Sequence, residues 1–344
     1  MCCLTEPEDR FPDGELPETN VEETQEDLPL QGEGPCVFSV SPSYQDHRLD
    51  YFLSRELGTS RAFSTRLIRE GQVSVSWCPR VKPSMKVLPG GSVIAVVPPP
   101  EELDLVPEDV PFRVVYEDAD LIVVDKPAGL VVHPAPGHWR GTLVHGLLFR
   151  YPDMEALNGV RRPGIVHRLD ATTSGLLVVA RNGLAMEELV RCFKQRTLRK
   201  EYLALAHGRP QPPEGEIRLP IGRDPQNRKR MTILEGGRDS LTRYRTLWTR
   251  GRISLLLCQL CTGRTHQIRV HLKALGCPLV GDRVYAPGRE TPFHPDRVFL
   301  HAWKLGFSHP RTGEPLLFRS PLPPDLLEAL EALFPRTSAP PEGS

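Results

Sequence analysis

The 344-residue chain contains no run of eighteen apolar residues, so no segment reads as a membrane-spanning helix. Met1 to Leu30 is acidic and punctuated by proline, the reverse of a basic leader followed by an apolar stretch, and a soluble cytoplasmic protein is expected. A GxxxxGKS/T phosphate loop is missing, and no GxGxxG opens a helix after a strand, which argues against nucleotide-driven and dinucleotide chemistry. HExxH is also missing. His266 and His271 are five residues apart, which on a helix turns them about 140° from each other. His133, His138, His145 and His167 show no ligand spacing, so neither metal nor cofactor is expected.

Eight cysteines (Cys2, Cys3, Cys36, Cys78, Cys192, Cys258, Cys261 and Cys277) are scattered without the rhythm of a small disulfide-stapled domain and are expected as thiols. The one CxxC, Cys258 to Cys261, lies in the strand-like RISLLLCQLCTGR, where residues three apart point to opposite faces. A structural role is expected for both. Formal net charge is zero, yet residues 1–34 hold eleven acids and one base, Arg10. Residues 35–344 therefore carry 42 basic against 32 acidic side chains, or +10. A basic body suits a polyanionic partner or an arginine-rich solvated surface, and charge does not choose between them.

Length suggests about two folded units. Residues 1–40, rich in Glu, Asp, Pro and Thr, are expected as a disordered acidic tail. From residue 46 to 98 a small module is expected. Leu49, Phe52, Leu53 and Leu57 fall at helical spacing before Gly58, and Ser60 can cap a second helix with Phe63 and Leu67 on one side. Arg61, Arg66 and Arg69 on that second helix remain available to solvent, and short strands follow at QVSVSW and GSVIAVV. Residues 99–111, proline-rich and acidic, read as a linker, and a larger domain is expected over 112–330 with a disordered tail over 331–344. In the larger domain, strands are expected on either side of Glu117 to Asp120 and at GLLVVAR, KEYLALAHG, SLTRYRTLWT and RISLLLCQL. Helices are expected at GTLVHGLLFRY, AMEELVRCFKQ and THQIRVHLKAL. Strands joined sometimes by helices and sometimes by hairpins predict a mixed sheet in an α+β domain. Ala286 to Asp296 reads as a variable loop.

Three stretches carry candidate chemistry. In GIVHRLDATTSGLLVVA, polar HRLD precedes a strand, which places Asp170 on a loop at the sheet edge as nucleophile, general base or cap, with Thr172, Thr173 and Ser174 as competing caps. In KEYLALAHG, Tyr202 shares one strand face with Ala204 and Ala206, as core or as a platform for a flat substrate. In CTGRTHQIRVHLKALG, Arg264 follows a turn, Thr265 can cap the helix, and Ile268, Leu272 and Leu275 form its buried stripe. Arg264 is placed to hold a carboxylate or a phosphate, or lies on the surface.

These three stretches, in this order, resemble the blocks of the RluA family of pseudouridine synthases. VVYEDADLIVVDKPAGLVVHP and RVFLHAWKLGFSHPRTGEPLLF resemble its flanking segments. The likeness covers roughly residues 46 to 325. With a module over 46–98 that resembles the S4 RNA-binding domain, it points to the RluD subgroup, acting on large-subunit ribosomal RNA or a pre-ribosomal particle. The resemblance implies a pseudouridine synthase fold, no cofactor, a monomer, and isomerisation of uridine with Asp170 as the one principal carboxylate. Asp170 would either attack ribose C1′ or remove a ribose proton. Tyr202 would support the rotating base, Arg264 would pair with Asp170, Arg168 would fill the space a flipped uridine leaves, and Arg61, Arg66 and Arg69 would hold RNA. Ala171 departs from the many relatives that carry lysine there. The competing expectations are a transfer-RNA-directed synthase and a noncatalytic ribosome-assembly factor.

Overall fold

The computed structural model describes residues 35–59, 61–97, 105–135, 137–156, 163–227, 230–289 and 297–334. They belong to two units that divide between Glu102 and Leu103.

In the first unit, β1 (Pro35–Ser39), α1 (Leu49–Glu56), α2 (Arg61–Arg69), β2 (Val73–Val75) and β3 (Ser92–Val96) follow in order, and the antiparallel sheet runs β1-β3-β2. Leu49, Phe52, Leu53 and Leu57 of the first helical segment meet Leu67, Ile68, Val93 and Ala95 in one core, as their spacing requires. Two expectations need correction. The acidic tail does not extend to residue 40, because Cys36 and Phe38 pack inward while Val37 points out, and the five-residue strand closes the sheet edge. Its alternation is short and directly follows the acidic stretch. Arg61 is not simply solvated either: it reaches the buried Asp50 at 3.1 Å, alongside Arg48 at 2.8 Å. Residues 1–34 and Ser60 lie outside the described residues.

The second unit is built on a nine-stranded mixed sheet: β4 (Arg113–Glu117), β5 (Leu121–Lys126), β6 (Ser174–Ala180), β13 (Leu300–Ser308), β7 (Arg199–His207), β12 (Ile253–Leu260), β11 (Leu241–Arg250) and β8 (Glu214–Arg218), with β14 (Pro315–Arg319) on β13. β6 and β13 pair in parallel, and the other pairings are antiparallel. β9 (Ile221–Arg223) and β10 (Met231–Ile233) form a separate hairpin. α3 (Leu143–Arg150) and α5 (Gln267–Ala274) cover one face, meeting Val124, Val179, Ala204 and Leu256. On the other face, α4 (Gly183–Gln195) packs against Val123 and Val178, and α6 (Pro324–Leu333) against Leu205 and Leu255. Even and odd residues of the same strands thus serve opposite helices, which is why the strands read as near-continuous apolar runs.

The expected boundaries of this unit shift outward at both ends. Leu105, assigned to the linker, is buried with α3 in the main core, and Glu108 accepts a hydrogen bond from the Gly141 N–H at 2.9 Å. α6 runs to Leu333, so the helix enters what was read as a tail from residue 331; residues 335–344 lie outside the described residues, as do 290–296 of the expected variable loop. No helix among the described residues is long and apolar enough to cross a membrane.

Candidate active site

Asp170 stands on the loop between an isolated bridge at Ile165 and the start of β6. The loop is pinned through its carbonyls. Ala171 O accepts from the Gly129 N–H at 2.8 Å and from Lys126 Nζ at 3.2 Å, and Thr172 O accepts from Arg297, which is itself clamped by Asp325 at 2.6 and 3.1 Å. Thr173 N–H closes a turn onto Asp170 O at 3.0 Å. Backbone fixed from three sides presents one half-buried carboxylate in a constant direction.

The partner of that carboxylate differs from the one expected. Arg269 Nη1 lies 3.3 Å from Asp170 Oδ2, whereas Arg264 Nε donates to the Asp239 carbonyl at 3.1 Å. The cause is helical geometry. α5 starts after His266, which adopts a left-handed conformation (φ 57°) at the N-cap in place of the expected Thr265, and the first turn carries Arg269 back towards the loop. Gln267 secures this entry: its Oε1 accepts from Thr262 Oγ1 and the Arg264 N–H, and its Nε2 donates to Leu241 O and Thr242 Oγ1. Arg269 is buried, and Asp282 grips it at 2.8 and 2.9 Å, itself receiving the N–H groups of Val284 and Tyr285. Burial works to raise the Asp282 carboxyl pKa, but Arg269 and those N–H groups outweigh it and hold it below the usual carboxylate range. The same pairing outweighs desolvation of Arg269 and raises its pKa.

Tyr202 is buried in β7 between Cys258 of β12 and Ala302 of β13, small neighbours that leave the ring room. Burial, and then the charge of Asp170, push its phenol pKa up, so it is a neutral ring that senses the carboxylate. Arg168 is exposed, Leu169 is buried, and His167 accepts from the Val178 N–H at 3.0 Å and lies against Phe193. Desolvation takes the His167 pKa down to about 3. Arg269, Asp282, Tyr285 and His266 were not singled out from sequence as site residues. The signal for the first pair is an arginine between apolar neighbours in THQIRV, and a lone acid in LVGDRV thirteen residues later.

Asp118, Asp120 and His309 bring one ligand atom each within 4.8 Å of one another. Their capacity is spent on protein groups: Arg311 holds Asp120, while Tyr116, two backbone N–H groups and His309 hold Asp118. His271 bridges Thr242 Oγ1 and Leu219 O, turned to partners other than those of His266.

Residues 120–274 match the family described as RNA pseudouridylate synthase. A protein of Chloroflexus aurantiacus named as an uncharacterised RNA pseudouridine synthase is 52% identical over 304 residues, which is 88% of this chain and 95% of that one. The ribosomal large subunit pseudouridine synthase D of Neisseria meningitidis serogroup B is 43% identical over 302 residues, 83% of this chain and 78% of that one. The solved structure of human RNA pseudouridylate synthase domain containing 1 shares 32% identity at a TM-score of 0.51, covering 68% of this chain and 98% of that one. The chain belongs to the RluA family of RNA pseudouridine synthases and is an RNA pseudouridine synthase enzyme.

Proposed function

We propose that this enzyme isomerises uridines of large-subunit ribosomal RNA and that Asp170 is its reacting carboxylate. The observation that carries the assignment is the ladder Asp170–Arg269–Asp282, in which a buried guanidinium is clamped on one side and offers Nη1 to a half-buried, loop-fixed carboxylate on the other. A carboxylate so held is fixed in direction, as either attack on C1′ or removal of a ribose proton requires. Isomerisation returns the same base to the same ribose through carbon 5, so no water needs activation and no second acid is called for, unlike glycoside hydrolysis. Tyr202 supplies a neutral ring for the detached base, and exposed Arg168 enters the gap left by the flipped nucleotide. Arg269 takes the role first assigned to Arg264, and Arg264 is left to the RNA-binding margin. The ribosomal substrate is suggested by the name of the Neisseria relative. The first unit is proposed as an S4-like RNA-binding domain, with Arg66 and Arg69 as phosphate contacts and Arg61 shared between RNA and Asp50.

Tritium release from RNA labelled at uridine carbon 5 tests the reading, because isomerisation expels that hydrogen. Wild type is expected to release tritium from unmodified large-subunit RNA and not from transfer RNA, while Asp170→Asn binds the RNA but releases none. Release by Asp170→Asn at the wild-type rate overturns the carboxylate assignment. Release from transfer RNA alone overturns the ribosomal substrate, and RNA binding without release by wild type would mark a binding factor.

A further inference from the structure

Two nitrogen groups address the Asp170 carboxylate, and both address the same oxygen. Arg269 Nη1 is 3.3 Å from Oδ2, and His266 Nε2 is 3.8 Å from Oδ2. Oδ1 receives no hydrogen bond from the described residues.

His266 is held for this task from its far side. Its Nδ1 lies 2.8 Å from Tyr285 Oη. That oxygen also accepts the Met231 N–H at 2.9 Å, and the phenol proton is then free to go to Nδ1. The Tyr285 ring is fixed in turn, edge-on to His266 with centroids 5.6 Å apart and under the Arg269 guanidinium at 5.0 Å. The charged groups around the imidazole are Asp170, Arg269, Asp282 and Arg168; burial lowers its pKa and the attraction of Asp170 only partly opposes this, so the ring is neutral at pH 7. A neutral imidazole has one N–H. With Nδ1 accepting from Tyr285, that N–H is on Nε2, facing the carboxylate, where a bare lone pair would be repelled.

We propose that His266 is a positioning residue for Asp170: its Nε2–H and the Arg269 guanidinium together hold Oδ2, and this assigns Oδ1 as the oxygen that meets the ribose. The inference rests on the reading of Asp170 as the reacting carboxylate. In the C1′ route, an Oδ1 lone pair forms the bond to C1′ as the C1′–N1 pair departs with uracil; carbon 5 then attacks C1′, Oδ1 leaves with its pair, the carbon-5 proton passes to water, and N1 takes up a proton from water. In the glycal route, Oδ1 takes the C2′ proton, whose pair forms the C1′=C2′ bond as the C1′–N1 pair departs with uracil; the proton is returned to C2′ as carbon 5 bonds to C1′, and the carbon-5 proton is then exchanged for one on N1 through water. His266 makes and breaks no covalent bond in either. The 3.8 Å separation closes to a hydrogen bond as substrate seats, the usual behaviour of catalytic hydrogen bonds.

The test combines kinetics with a direct view of the tautomer, in the full chain. His266→Leu is expected to lower kcat of tritium release about tenfold with KM little changed, the effect of losing one donor to a carboxylate. His266→Gln keeps an N–H near the Nε2 position and is expected to recover most of that loss. Nitrogen NMR of the histidine-labelled wild type is expected to show His266 protonated at Nε2 and not at Nδ1 at neutral pH, an outcome that does not depend on any variant folding. A wild-type kcat in His266→Leu, a His266→Gln as slow as His266→Leu, or a proton on Nδ1 would each overturn the positioning role. Full activity in Asp170→Asn would instead overturn the reading beneath it.

Discussion

Lys126 is fully buried at the end of β5, and its Nζ donates to the carbonyls of Pro127, Leu130 and Ala171 at 2.9, 2.8 and 3.2 Å. Ala171 adjoins Asp170, so this lysine ties the KPAGL turn to the Asp170 loop. Lys126→Met keeps the length of the side chain but strips three carbonyls of the ammonium donor they share. A loss of about 3 kcal/mol is expected in urea unfolding, together with a reduced kcat as the loop loosens. Burial pushes the lysine pKa down to about 7 from 10.5, against the pull of Asp170. Between those two values the unfolded chain binds more protons than the folded one, so stability rises with pH across the window. Urea midpoints compared at the two ends of that window should show the rise in wild type and not in Lys126→Met. A lysine at a strand end gave no sign in sequence of total burial, because one of the carbonyls that accept from it, Ala171 O, lies 45 residues along the chain.

At the scale of elements, the strands and helices with strong apolar periodicity lie where their pattern places them, while β13, the central strand, was quoted only as a segment resembling the family's flank. Its pattern is interrupted by a bulge between Ala302 and Lys304, and buried polar side chains, His301 and Lys304, break the apolar run. Gly175 shows why its parallel partner is glycine there. With φ at 111°, a Cβ on Gly175 would fall 2.3 Å from the Ala302 carbonyl oxygen. Gly175→Ala must push β6 from β13 or abandon that backbone, and a loss of about 3 kcal/mol or more is expected by thermal unfolding. Because the Asp170 loop enters β6 one residue earlier, at Ser174, activity should fall by more than the unfolded fraction explains. An unchanged melting temperature would show that the sheet yields without cost.

For the whole molecule, the +10 charge of residues 35–344 is the quantity that bears on RNA affinity. Arg66 and Arg69 are exposed, whereas Arg61 is partly engaged by Asp50, so the charge reversal that leaves the first unit's core intact is Arg66→Glu with Arg69→Glu. Each phosphate contact contributes about one unit to the slope of log affinity against log salt. The double variant should therefore raise KM on a long ribosomal RNA fragment, lower that slope by about 2 and leave kcat near wild type. An unchanged slope would remove the first unit from RNA binding.

The chain's local pattern carried the elements whose burial repeats at a regular period, the mixed sheet and the three blocks that mark the family. It did so because apolar periodicity and turn residues act over neighbouring positions. Tertiary structure decided which arginine meets the carboxylate. The choice of Arg269 over Arg264 depends on a left-handed His266, on Gln267 anchoring the helix entry to β11, and on Asp282 thirteen residues beyond Arg269. It likewise decided that β13 lies between β6 and β7, and that His266 and Arg269 both reach Oδ2. These are contacts between residues distant in the chain, and local pattern carries no term for them.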